Sequence, residues 1–158
     1  MAGEGIVPAR LVFSEVPGPT CAGVLREMAD RLVRSGVVAD ATALAQTLAM
    51  REGRCTTALG GGLAIPHGKL SGLSAPVVAL GLVHPPADFS AADGIPVDLV
   101  FLLLSPAEAP AAHLTALSRL SRILRAPGVA ARLRAAKDPA EVSEVLRETE
   151  AGLMVSSR

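Results

Sequence analysis

The chain has no tryptophan and no tyrosine, and Phe13, Phe89 and Phe101 are its only aromatic residues apart from histidine. Single-stranded nucleic-acid binders stack bases on such rings, so that class loses its platform here. Charge of one sign is also missing. Lys+Arg and Asp+Glu both number 15, for a net charge of +0, which removes the basic balance that drives sequence-independent binding to phosphate backbones. Cysteine is scarce: Cys21 and Cys55 form no CxxC pair and read as small hydrophobes or free thiols rather than as a disulfide. The longest apolar run, Leu99 to Leu104, is far too short to span a bilayer, and Met1 is not followed by a basic and then apolar signal-like stretch. The expectation is a cytoplasmic protein that inserts into no membrane, binds no nucleic acid, and has a protein or small molecule as its partner.

What the chain does have is hydrophobic content. At 158 residues and 50% hydrophobic it can bury one core and is the size of one domain. Residues 1–10 carry two glycines and a proline without periodicity and are expected to be a flexible leader, with the domain over 11–150 and a C-terminal tail over 151–158. A short strand is expected at Leu11 to Ser14. From Ala22, the spacing of Val24, Leu25, Met28, Leu32 and Val33 predicts an amphipathic helix stopped by Gly36. Asp40 or Thr42 caps a second helix that runs to the Arg51-Glu52-Gly53 break. The stretch from Arg54 to Gly62 reads as a turn, leading to a short strand Leu63-Ala64-Ile65 before Pro66 and His67. The runs Pro76 to Val83 and Val97 to Leu104 are nearly unbroken apolar segments, which suits strands covered on both faces. Pro110 opens a helix striped by Leu114, Leu117, Leu120 and Leu124, and Asp138, Pro139 and Glu141 mark the start of a last helix. The reading is therefore a single α/β domain, a mixed sheet with helices on both faces.

Three residues stand out chemically. His67 lies between Pro66, which fixes a backbone dihedral, and Gly68, which leaves room, just past a strand end and after the turn Gly60-Gly61-Gly62, whose amides can face an anion. A neutral imidazole there can attack phosphorus to give a labile phosphoramidate; a structural role in the turn is the other reading of the same residues. His113 falls in the first turn of the helix opened by Pro110, where the helix N-terminus disfavours imidazolium, and it either serves a phosphoryl group or is a half-buried ring satisfied by backbone. Arg51 ends a helix and either clamps phosphoryl oxygens with its planar fork or simply faces water. The Gly68-Lys69 pair is no P-loop, because Leu63 and Leu70 occupy the required positions. His67, His84 and His113 have no metal-ligand spacing, so no metal site is expected. The basic residues between Arg119 and Lys137 read as a solvated helix face, or else as a docking patch for an acidic partner.

The run REGRCTTALGGGLAIPHGK from Arg51 to Lys69 resembles the signature of the type-2 IIA domains of the bacterial phosphotransferase system (PTS): an Arg-Glu pair, a Ser/Thr-Thr pair, a glycine-rich turn and Ile-Pro-His-Gly. FSAADGIPVDLVFLLLSP from Phe89 and HLTALSRLSRILR from His113 are similar to the strand and second-histidine helix that follow. The resemblance implies an α/β fold, a phosphotransferase activity without cofactor, and His67 as acceptor of a phosphoryl group from the phosphocarrier HPr, to be passed to a IIB domain. It implies supporting roles for Arg51 and His113; phosphoryl contacts are further expected at Thr57, Gly61, Gly62 and Gly68. Ala58 and Leu59 depart from the usual glycine and isoleucine but remove no reacting group. The IPHGK form and the absence of fused IIB or IIC sequence resemble the nitrogen-regulatory branch; the alternatives are a fructose- or mannitol-type sugar-transport component and a binding module that transfers no phosphate.

Overall fold

The computed structural model describes residues 5–156. Six strands build one mixed sheet: β1 (Val12–Val16), β2 (Ala58–Gly60), β3 (Leu63–Ala64), β4 (His67–Leu70), β5 (Val77–Ala87) and β6 (Val97–Pro106). Their order is β1-β5-β6-β3-β2, with β4 also paired to β6. Strands β5 and β6 are antiparallel, whereas β1 on β5, and β3 and β4 on β6, run parallel.

Strand β6 is buried along almost its whole length, and successive side chains supply two different cores, as a period of two requires. Val100, Leu102 and Leu104 join Val24, Met28, Leu44 and Leu48 on one face. Leu99, Phe101 and Leu103 join Leu120, Ile123, Val142 and Leu146 on the other. The first face is covered by α1 (Cys21–Arg34) and α2 (Ala41–Arg54), the second by α3 (Pro110–Leu124), α4 (Val129–Ala135) and α5 (Pro139–Ser156). The expected mixed sheet with helices on both faces is thus the observed architecture.

Local chemistry sets the helix ends. Thr20 accepts from the Gly23 amide and Asp40 from the Ala43 amide, so Asp40 rather than Thr42 caps α2. At the start of α5, Asp138 accepts from Glu141 N–H while Glu141 accepts from Lys137 N–H, a reciprocal pair that satisfies two orphan donors.

The ends of the chain differ from expectation. Within the supposed leader, Ile6 and Val7 are buried and a 3₁₀ turn covers Ala9–Leu11, so these apolar residues are anchored in the α3/α5 core; residues 1–4 lie outside the described ones. No tail begins at 151, because α5 continues to Ser156 and Leu153 packs on the same core; residues 157–158 are outside the described ones. Helix α2 also passes through Gly53 to Arg54, and β5 extends past Val83 to Ala87. Three strands or helices were not expected: the seven-residue α4, strand β2 inside the supposed turn, and strand β4, which begins at His67. Three of the six basic residues over 119–137 are ion-paired: Arg119 with Glu150, Arg132 with Glu148 and Arg134 with Asp98. That favours a solvated, ion-paired face over a docking patch.

Candidate functional site

Strands β3 and β4 lie end to end beside β6, interrupted at Ile65-Pro66. Leu63 and Ala64 pair with Leu99 and Val100, and pairing resumes with His67 opposite Leu103. Proline has no N–H to give to a ladder, and here its carbonyl accepts from the Leu103 amide. The interruption leaves the Ile65 carbonyl for a side chain, and His67 Nδ1 lies 2.8 Å from it. A carbonyl only accepts, so Nδ1 carries the proton and Nε2 holds the free lone pair. His67 is therefore not just past a strand end; it opens a new strand with its ring anchored by its own chain.

Strand β6 then leads, through a short connection, into α3. The fourth residue of that helix, His113, is 7% exposed, and its Nδ1 lies 2.7 Å from the Ser105 hydroxyl. The centroids of the His67 and His113 rings are 5.5 Å apart, with the rings tilted by 45°. Burial, and then the charges of His67 and Lys69, push the His113 pKa below its ordinary 6.5. A lowered folded-state value means that, below about pH 6.5, the unfolded chain binds a proton that the folded chain refuses. Stability is then present above that pH and lost as the pH falls. Denaturant melts from pH 7.5 to 5 should show this decline, made shallower by up to one proton in His113→Gln; an unchanged slope would count against the shift.

The two histidines share a cavity of about 570 Å³ with Thr47, Met50, Arg51, Arg54, Gly68 and Lys69. The structure thus brings together Arg51, His67, His113 and Gly68 from three helices or strands distant in sequence. Arg51 donates through Nη1 to the Cys55 carbonyl, which ties its fork to the end of α2 beside the histidines. Three cations and no carboxylate line the cavity, the charge pattern of an anion site. Arg54 and Lys69 were not singled out from the sequence; their spacing of three residues from Arg51 on one helix, and of two from His67 on one strand, was the signal available.

The other expected phosphoryl contacts are elsewhere. Thr57 is buried, and Glu52 accepts from both its amide (2.6 Å) and its hydroxyl (2.7 Å). This clamp joins the last turn of α2, which carries Arg51, to the strand that leads to the glycine turn. Gly61 gives its amide to Asp93 and its carbonyl to Arg134, and the Gly62 carbonyl accepts from Asp98 and Leu99. Leu99 is four residues from Leu103, the partner of His67, or about 13 Å along the strand at ~3.3 Å per residue. The glycine turn therefore cannot offer amides to a group on His67. Its glycines meet a backbone need instead: Gly60, Gly61 and Gly62 have φ of 90°, 64° and 85°, and a Cβ at Gly62 would stand 2.6 Å from Arg134 Nη2. Thr57→Val should accordingly lower the unfolding free energy by about 1.5–3 kcal/mol through loss of a bond to a carboxylate, while phosphoryl acceptance survives. Selective loss of acceptance in a variant of unchanged stability would restore Thr57 to the site.

Among the described residues, no three His, Cys, Asp or Glu side chains come together as a metal site, and no helix is long and apolar enough to cross a membrane.

Comparison with known proteins identifies the family. The family described as the phosphoenolpyruvate-dependent sugar phosphotransferase system, EIIA 2, matches residues 6–149. A nitrogen regulatory protein of Bradyrhizobium diazoefficiens is 47% identical over 104 residues, 66% of this chain and 68% of that protein. A PTS fructose-specific EIIA component of Haloferax volcanii is 38% identical over 143 residues, 90% of this chain and 93% of the relative. Among solved structures, the nitrogen regulatory protein IIA-Ntr from Neisseria meningitidis superposes with a TM-score of 0.80 at 29% identity, covering 89% of this chain and 96% of that one. An anchored histidine, a second histidine beside it and a cationic cavity, on a chain matched over nearly its whole length, place this protein in the type-2 EIIA family of the phosphotransferase system.

Proposed function

We propose that the protein is a phosphoryl carrier that accepts a phosphoryl group on His67 Nε2 from the phosphohistidine of HPr, and that it works as a regulator of the nitrogen-regulatory type. The observation that carries this reading is the anchored Nδ1–H of His67 in a cavity lined by Arg51, Arg54 and Lys69 without a carboxylate. The lone pair of Nε2 attacks phosphorus, the donor's P–N bond breaks, and its electron pair stays on the donor imidazole. Positive charge grows on the His67 ring as the new bond forms, and the Ile65 carbonyl stabilises it through Nδ1–H. Because that proton stays on the ring, onward transfer to a IIB domain releases a neutral imidazole. Arg51, Arg54 and Lys69 neutralise the phosphoryl oxygens, so positioning and electrostatics supply the catalysis.

Incubation with phosphoenolpyruvate, enzyme I and HPr should label the protein on one histidine with an acid-labile phosphate. Absence of label, with HPr itself labelled in the same tube, would replace this reading with that of a binding module that transfers no phosphate. A sugar-transport role is the second reading, favoured by the near full-length match to the fructose EIIA component. Genes for IIB and IIC beside this one, and transfer of label to that IIB, would support it over the regulatory role.

A further inference from the structure

We propose that Ser105 is a positioning residue which fixes His113 as an Nε2–H donor, so that the two histidines of the cavity stand in opposite tautomers, one a nucleophile and the other a hydrogen-bond donor. The inference rests on the reading of His67 as phosphoacceptor and extends it to a residue of β6 that lies outside the signature motif.

Ser105 is the penultimate residue of β6, opposite Lys69 of β4, and it is fully buried at 0% exposure. A hydroxyl has one proton to give, and a buried O–H without an acceptor bears the full desolvation cost of an unpaired donor. The hydroxyl makes its hydrogen bond to His113 Nδ1, 2.7 Å away, and among the described residues no buried side-chain nitrogen or oxygen lacks a partner. If Nδ1 carried a proton, that proton would point at the serine oxygen and strand the hydroxyl's own. The arrangement that satisfies both groups has Ser105 O–H donating to the lone pair of Nδ1, which puts the ring's single proton on Nε2.

His67 is fixed in the reverse sense, since its Nδ1 donates to the Ile65 carbonyl, 2.8 Å away, and its Nε2 is bare. The rings lie 5.5 Å apart and line the same cavity. A phosphoryl group on His67 Nε2 thus faces an N–H of His113 rather than a second lone pair, which would repel its oxygens. The strand also does this at little entropic cost, because serine has one side-chain torsion to order and β6 is held on both edges.

The test begins with unphosphorylated wild-type protein and two-bond proton–nitrogen NMR correlations of its histidine rings. His113 should show an unprotonated Nδ1 and a protonated Nε2, and His67 the opposite pattern. A protonated Nδ1 on His113 would overturn the proposal without any variant. Ser105→Ala should then give His113 nitrogen shifts averaged between tautomers and slow onward phosphoryl transfer about tenfold, at the lower end for loss of a group that orients a site histidine. Ser105→Thr, which keeps the hydroxyl, should restore both. Transfer at the wild-type rate in Ser105→Ala would also overturn it. Should wild-type protein accept no label, the phosphoacceptor reading fails, yet the ring spectra still decide whether Ser105 sets the His113 tautomer.

Discussion

His67→Gln is expected to abolish phosphoryl acceptance, with labelling from phosphoenolpyruvate, enzyme I and HPr falling more than about a thousandfold. Glutamine keeps a polar side chain of similar reach, and its amide can still donate toward the Ile65 carbonyl. It has no nucleophilic nitrogen, however, because the amide lone pair is delocalised into the carbonyl. The chemical step therefore disappears while the fold remains, and the unfolding free energy should change by about 1 kcal/mol or less, the worth of one neutral hydrogen bond. His113→Ala, which keeps no side-chain N–H, provides the graded comparison. It leaves the nucleophile and removes a donor to the moving group, so transfer should slow by about a hundredfold, as when one preorganised donor to a developing charge is lost. Undiminished label in His67→Gln, or label mapped to His84 or His113, would overturn the assignment.

The separation of these two effects depends on a site built from parts that local sequence reveals unequally. His67 was legible because proline, glycine and a short apolar run surround it, and each has a local conformational meaning. His113 was legible from Pro110 as a helix start. That the two rings lie within one cavity was not, because their proximity depends on β4 pairing with β6 at His67 opposite Leu103, and register between segments 36 residues apart in sequence is written in no local pattern. The same limit explains the misreading of Gly60 to Gly62. Glycine announces backbone freedom but not its purpose, and here the purpose is a turn latched by Asp93 and Arg134 at the far end of the sheet. Thr57 was misread for a related reason: a threonine in a signature can contact a ligand or hold the scaffold, and only the bidentate approach of Glu52 decides between them. Ile6 and Val7 were taken for leader because two apolar residues have no period, although burial needs no period.

Strand β6 was the most legible element of all, since an unbroken apolar run can only be satisfied by cover on both faces, and the second large effect follows from it. Phe101→Ala should lower the unfolding free energy by about 3–5 kcal/mol, the usual cost of emptying a buried phenylalanine site. The side chain is fully buried in the core made with α3 and α5, and its backbone is locked to Leu80 on β5, so the walls cannot readily close. For a domain of this size, with ~2–4 °C of midpoint per kcal/mol, thermal unfolding should move down by about 6–20 °C. Leu102→Ala, one residue along, opens the opposite core against α1 and α2 at about 2–5 kcal/mol, whereas Phe101→Leu, closer in volume, should lose far less than the alanine variant. The two truncations weaken different supports of the cavity. Loss at Phe101 loosens the face that carries α3 and His113; loss at Leu102 loosens the face that carries α2 and Arg51. Below its midpoint, Phe101→Ala should therefore accept phosphoryl groups on His67 yet pass them on slowly, in the manner of the His113 variant. A Phe101→Ala protein that melts within 2 °C of wild type would mean that the sheet does not derive its stability from this shared central strand.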